Sequence, residues 1–188
     1  MTIQSLCAFH GSDKTPYINQ SKGQHGHPYA LIYDLLFKDL KVDSIFEIGV
    51  GAIPLMGQYI KDYKTGASLY VWRDYFPDAQ VYGMDNRDDA MIEGEPRITT
   101  FLGDSTNPDD VTRITSGIAP FDIVIDDGSH YSGDQVATAH LFLPLVKPGG
   151  LYFIEDVPKP DTIKRALADW NPELLSEERG DRLIMIRT

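Results

Sequence analysis

Phe121-Asp-Ile-Val-Ile-Asp126-Asp127-Gly-Ser-His130 and, one helix-length segment later, Gly149-Gly-Leu-Tyr-Phe-Ile-Glu155-Asp156 decide how the rest of this chain is organised. Each half is a short run of β-branched and aromatic residues that ends in adjacent carboxylates. A strand buried on both faces of a parallel sheet reads as a near-continuous apolar run, and ligands of open α/β sheets bind beyond the carboxyl ends of the strands. Two neighbouring strands ending in Asp126-Asp127 and Glu155-Asp156 gather four carboxylates at one rim. Their repulsion is costly unless a cation sits among them or some of them hold protons. A divalent metal ion is the simplest resolution.

Outward from this pair the pattern repeats. Ser44-Ile-Phe-Glu47-Ile-Gly49-Val-Gly51 is a strand running into a glycine turn, Ala79–Asp85 a second strand and Arg97–Asp104 a third. Leu69, Trp72, Tyr75 and Phe76 share a helical face over residues 66–77, with Gly66 and Ser68 at its start, where small residues leave backbone N–H groups open. Further helices are expected over 29–39, where Leu31, Ile32, Leu35 and Leu36 recur at helical spacing, and over 108–116, 133–146 and 161–170. Residues 181–187 form a last strand, paired with 173–178 through Arg179-Gly180. Strands alternating with helices imply an α/β fold. The expected form is a doubly wound, mostly parallel Rossmann-like sheet flanked by helices, with a C-terminal antiparallel edge strand.

Residues 1–27 are polar and turn-rich and read as a loop or lid, ahead of a single domain over 28–188. His25-x-His27 could be half a metal site, but two solvent-facing histidines in a glycine-rich loop are the plainer reading. His140, on the helical face of Val136 and Leu143, reads as a core histidine.

The hydrophobic share of 42% is ordinary for a globular protein. No run approaches the roughly 18 apolar residues of a membrane span, and the first ten residues lack a basic start and an apolar core. The lone Cys7 permits no intrachain disulfide, so a cytoplasmic location is expected. A net charge of −11 argues against nucleic acid and anionic membrane as partners, and for small molecules and bound cations. Helical surfaces left open on such a domain suit a homo-oligomer.

Gly49-x-Gly51 is not the dinucleotide fingerprint, because Pro54 stands where the third glycine belongs. The ribose acid is due about 20 residues on, whereas Asp85 follows Gly51 by 34. A Gly-Lys-Ser/Thr phosphate loop is absent as well. What remains is Glu47-x-Gly49-x-Gly51, then Asp85 and Asp104 at the ends of the next two strands. This arrangement resembles the class I S-adenosylmethionine-dependent methyltransferases. Glycines let the backbone approach a nucleoside–amino acid, Asp85 is placed to accept from ribose hydroxyls, and Asp104 to meet the adenine amino group. Taken singly, each acid is equally a turn or N-cap residue.

Gly11-Ser-Asp-Lys14, Glu47–Gly51, Gly66-Ala-Ser68-Leu69, Asp126–His130 and Gly149–Asp156 together resemble the metal-dependent sugar O-methyltransferases of macrolide biosynthesis and their bacterial relatives. That resemblance implies magnesium held by Asp127, Glu155 and Asp156, His130 as general base, and the methionine carboxylate facing Gly66 and Ser68. Asp126 joins the cofactor wall. Ala52 departs from many relatives, which carry a third glycine there. The implied reaction is methyl transfer from S-adenosylmethionine to a sugar hydroxyl, with the metal lowering the hydroxyl pKa and His130 taking the proton. Two other readings stand beside it: a metal-independent methyltransferase acting on another nucleophile, and a non-catalytic ligand-binding module with a methyltransferase fold. Tyr17, Tyr29, Tyr131 and Tyr152 could line a sugar pocket or an aromatic one, or sit in the core.

Overall fold

The computed structural model describes residues 1–16, 26–178 and 181–188. Tyr17, His25 and the Arg179-Gly180 turn lie outside the described residues. Seven strands form one sheet: β1 (Ser44–Ile48), β2 (Gln80–Asp85), β3 (Ile98–Leu102), β4 (Phe121–Asp126), β5 (Val146–Ile154), β6 (Glu173–Glu178) and β7 (Asp181–Arg187). Their order is β3-β2-β1-β4-β5-β7-β6. The first five are mutually parallel, while β7 runs antiparallel to both β5 and β6. The antiparallel strand therefore lies inside the sheet and β6 forms the edge. Strand order reverses between β1 and β4, so the binding crevice of this architecture falls at their carboxyl ends.

Strand alternation sorts the core into two layers. Ile45, Val81, Ile123, Ile125, Leu151 and Phe153 pack beneath α1 (Ile3–His10), α2 (Tyr29–Phe37) and α4 (Ala67–Tyr75). Phe46, Met84, Val124, Tyr152 and Ile154 pack on the other face with α5 (Pro108–Thr115), α6 (Ser132–Phe142) and α7 (Pro160–Ala166). The short α3 (Ile53–Met56) sits between the glycine turn and α4. None of the described helices is long and apolar enough to cross a membrane.

Three expectations change. Residues 3–10 are a helix rather than loop, and its Ile3, Leu6 and Cys7 are buried in the first core layer. Thr2 caps α1, and the Asp34 carboxylate accepts from Ile3 N and Gln4 N at 2.6 and 3.2 Å, which suits a helix N-terminus. Gly11, at φ 75°, ends the helix in the left-handed region. On α2 the buried face is Tyr29, Ala30, Tyr33 and Phe37, whereas Leu31 and Leu35 are 45% and 73% exposed. Aromatic rings bury more surface than leucines, and the two tyrosine hydroxyls find carboxylate partners inside. His140 is exposed rather than in the core.

Phe37 sits where the first layer is densest, with Tyr33, Trp72, Phe76 and Phe153 around its ring at centroid distances of 5.1–6.2 Å. Phe37→Ala is expected to lower stability by about 3–5 kcal/mol, measured by urea denaturation.

Candidate functional site

The site follows from register. Glu47 pairs with Ile125, and Ile125 with Phe153, across β1, β4 and β5. With a period of two, Glu47, Asp127 and Glu155 face the α1/α2/α4 side, while Asp126 faces the other. Three acids thus converge on one face at the crevice. Lys14, from the segment between α1 and α2, supplies their cation: its Nζ lies 2.6 Å from Asp127 Oδ2, 2.7 Å from Glu155 Oε2 and 3.2 Å from Glu47 Oε1. The first two contacts are hydrogen bonds, the third an ion pair without that alignment. Lys14 is 1% exposed. Trp72 Nε1 donates to Glu47 Oε2 at 2.6 Å, and Tyr33 Oη to Glu155 Oε1 at 2.5 Å.

The charge balance is uneven. Burial drives Glu47 and Glu155 above the usual carboxylate range despite Lys14. Burial also opposes the charge on Asp127, but Lys14 and His130 overcome it and hold Asp127 below the usual range. The hydrogen-bonding and charge of Asp127 raise His130 to about 9, so the imidazole is a cation at neutral pH while the acids are bare. Asp126 is pushed up to about 7 by burial; its Oδ1 accepts from Gly128 N at 3.3 Å, which makes it a turn cap beneath the site.

Outside this buried layer, Asp127, His130 and Asp156 each bring a potential ligand atom within 4.8 Å of the others. His130 Nε2 lies 3.6 Å from Asp127 Oδ1 and 3.5 Å from Asp156 Oδ2. These residues form part of the wall of a cleft of about 1100 Å³, above the roughly 300–1,000 Å³ typical of a single small ligand. Gly49, Gly51, Ser68, Asp85 and Asp104 line the same cleft. Gly49 and Gly51 adopt φ of 89° and 78°, and a Cβ on Gly49 would meet the Asp127 carbonyl at 2.0 Å. Asp85 Oδ2 accepts from Val50 N and Gly51 N, and Asp104 Oδ1 from Thr106 N, so both acids hold turns while facing the cleft.

Four expected site residues do not reach the wall. Glu47, Asp126 and Glu155 are 0%, 2% and 1% exposed, and Gly66 serves as the left-handed N-cap of α4, at φ 69°. Strand alternation turns the three acids into the layers, where Trp72 donates to Glu47, Gly128 N and Tyr152 to Asp126, and Lys14 and Tyr33 to Glu155. Glu155 in particular lies outside the group formed by Asp127, His130 and Asp156. Asp13, Lys14, His27 and, in and just after α3, Leu55, Met56, Tyr59 and Tyr63 also line the cleft; the sequence weighs His27 as half a metal site against a solvent-facing loop residue and assigns the others no role. Of the four tyrosines considered for a pocket, Tyr29 and Tyr152 are buried, and Tyr131 is 72% exposed beside His130.

Removing one partner of a buried ion pair costs about 3–5 kcal/mol, and Lys14→Met leaves three acids without their cation. Loss of that order is expected at pH 8 by urea denaturation. Lys14 is raised and Asp127 lowered. Their contribution is therefore full between the unfolded pKa values, is lost in acid as Asp127 protonates, and is lost in alkali as Lys14 deprotonates. The deficit of Lys14→Met should accordingly shrink as pH falls below that of an ordinary carboxylate; an equal deficit at every pH would contradict this balance.

No protein-family profile matches the chain. It is 38% identical over 133 residues to demethylmacrocin O-methyltransferase of Streptomyces fradiae, covering 70% of this chain and 32% of that protein. It is 35% identical over 158 residues to the 8-demethyl-8-alpha-L-rhamnosyl tetracenomycin-C 2'-O-methyltransferase of Streptomyces olivaceus, covering 82% and 37%. Among solved structures it aligns with MycE, the methyltransferase from the mycinamycin biosynthetic pathway in complex with Mg, SAH and mycinamycin VI. There the TM-score is 0.75 and the identity 26%, over 99% of this chain and 53% of that one. The chain thus spans about a third of the length of these curated relatives and about half of MycE. Over the part it spans, it carries a methyltransferase fold and is a relative of the macrolide- and polyketide-sugar O-methyltransferases.

Proposed function

We propose that this chain binds S-adenosylmethionine and a divalent metal and transfers the methyl group to a hydroxyl of a sugar or glycosylated small molecule. The observation that carries this reading is the meeting, in one cleft, of Asp127, His130 and Asp156 with the glycine turn and the strand-end acids Asp85 and Asp104. The relatives add support, since one is named for methylation on a rhamnosyl group and MycE was solved with Mg and SAH.

The donor set fits magnesium, which takes oxygen ligands and keeps positions for water or substrate. Asp127 and Asp156 would hold it through the oxygens that face His130. Glu155 would join them only by exchanging Lys14, so in this reading it acts from behind the site. Bound there, the metal would supply Lewis acidity that lowers the pKa of an acceptor hydroxyl. Gly49, Gly51 and Ser68 would hold the methionine end of the cofactor, Asp85 the ribose hydroxyls and Asp104 the adenine amino group. Glu47, Gly66 and Asp126 shape this wall from beneath. His130 can serve as base only where the acids' charge is otherwise neutralised, because bare Asp127 keeps it protonated. The in-line geometry of methyl transfer makes positioning the main contribution of the protein.

The placement favours a metal-dependent reaction over the metal-independent and non-catalytic alternatives, since a plain polar pocket does not require two convergent carboxylates. Calorimetric titration should show uptake of S-adenosylmethionine, S-adenosylhomocysteine and magnesium by the wild type, with magnesium uptake lost in Asp127→Ala. Chelation should abolish transfer to a sugar acceptor, and added magnesium should restore it. Transfer undiminished by chelation would select the metal-independent reading; no uptake of either nucleoside would end the methyltransferase reading.

A further inference from the structure

The oxygens of the two outward carboxylates are divided in the same way. Asp127 gives Oδ2 to Lys14 at 2.6 Å and leaves Oδ1 toward His130. Asp156 gives Oδ1 to the Tyr29 hydroxyl at 2.6 Å, with His27 Nδ1 at 3.5 Å, and leaves Oδ2 toward His130. The Tyr29 hydroxyl also accepts from Asp156 N at 3.2 Å, so one group grips both the side chain and the backbone of this residue. Asp156 needs the grip, because its φ of 49° lies in the left-handed region, which a non-glycine residue keeps only when its surroundings fix it.

Lys14, His27 and Tyr29 all come from the chain between α1 and the first turn of α2. That chain is anchored across its own base, His27 N to Asp13 O at 2.6 Å and Ala30 N to Lys14 O at 2.8 Å. Tyr29 is fully buried and stacks on His27 at 5.2 Å.

We propose that Lys14 and Tyr29 are positioning residues of the metal site: each holds one oxygen of an outward carboxylate and so aims the other at a single point beside His130. The described part of the amino-terminal segment is then a structural half of the site, acting through Lys14 and Tyr29 on carboxylates at the ends of β4 and β5. This rests on the metal reading above and extends it to residues that would never touch the ion.

Tyr29→Phe is the cleaner test, since it removes one hydroxyl and no charge. Titrating Mn²⁺ alone by calorimetry, without cofactor or acceptor, should show affinity about 10-fold or more below wild type, the range found when partners behind metal ligands are removed. Asp122→Asn, at the opposite end of β4, serves as a control for general loosening: it loses the Lys147 ion pair, and should bind Mn²⁺ as the wild type does. In Lys14→Met two effects oppose each other, because losing a positive charge favours a cation while losing the tether disfavours it. Weaker Mn²⁺ binding there supports the tether; tighter binding overturns the role of Lys14. Wild-type affinity in Tyr29→Phe overturns the clamp and leaves the metal reading standing, whereas no Mn²⁺ uptake by the wild type removes both.

Discussion

A single buried ammonium organises this structure. Lys14 Nζ lies within 3.2 Å of carboxylate oxygens from β1, from the end of β4 and from the end of β5. Isolated in a low-dielectric layer, any one of these four charges would carry a large desolvation penalty. Together they are tolerable only because Lys14 and Asp127 are ionised, Glu47 and Glu155 are driven toward their protonated forms, and Trp72 and Tyr33 donate to the remaining oxygens. The helices on that face are constrained in turn. Tyr33 belongs to α2 and Trp72 to α4, and both rings meet Phe37 and each other in the aromatic layer. Polar network and apolar core are therefore one packing problem, shared by α2, α4 and the sheet beneath them.

The rim of carboxylates was legible in the sequence, but its electrostatic solution was not. Four acids at two adjacent strand ends demand a cation or protons, and a divalent ion satisfies that demand on paper. The protein uses protons, an internal lysine and the imidazolium of His130 first. Lys14 could not be placed from its sequence neighbours, because its hydrogen-bond partners lie 113 and 141 residues away. Gly11-Ser-Asp-Lys14 matched a family pattern without revealing what it held. The short α1 escaped notice for a related reason: Ile3, Leu6 and Cys7 make only one repeat of helical spacing, and its N-terminus is completed by Asp34 from another helix.

Strand alternation separates the acids by role more finely than motif spacing did. Glu155 and Asp156 are adjacent in sequence, yet alternation carries the first into the buried layer, while a left-handed turn and the Tyr29 hydroxyl hold the second at the cleft. Asp126 and Asp127 divide by alternation alone, onto opposite faces of the sheet. The parallel strands and their order were readable because apolar runs ending in Gly-Asp, Asp-Asp and Glu-Asp recur at regular intervals. Orientation within the α2 helix was less so: Leu31 and Leu35 fit the periodicity as well as Tyr29, Tyr33 and Phe37. The larger area of the rings and the acids that meet the tyrosine hydroxyls together decide between the two faces.

The two outward carboxylates, Asp127 and Asp156, each have one oxygen held by the fold and one directed toward His130. With both carboxylates free to rotate, two like charges this close would swing apart, and each would be solvated by the cleft. Tying one oxygen of each to a fixed donor removes that freedom before any ion arrives, so repulsion is borne by the fold rather than by the binding step. The protonated His130 between the outward oxygens offsets the repulsion in the meantime. A divalent ion entering there would compete with that imidazolium charge, which would couple its occupancy to the protonation of His130.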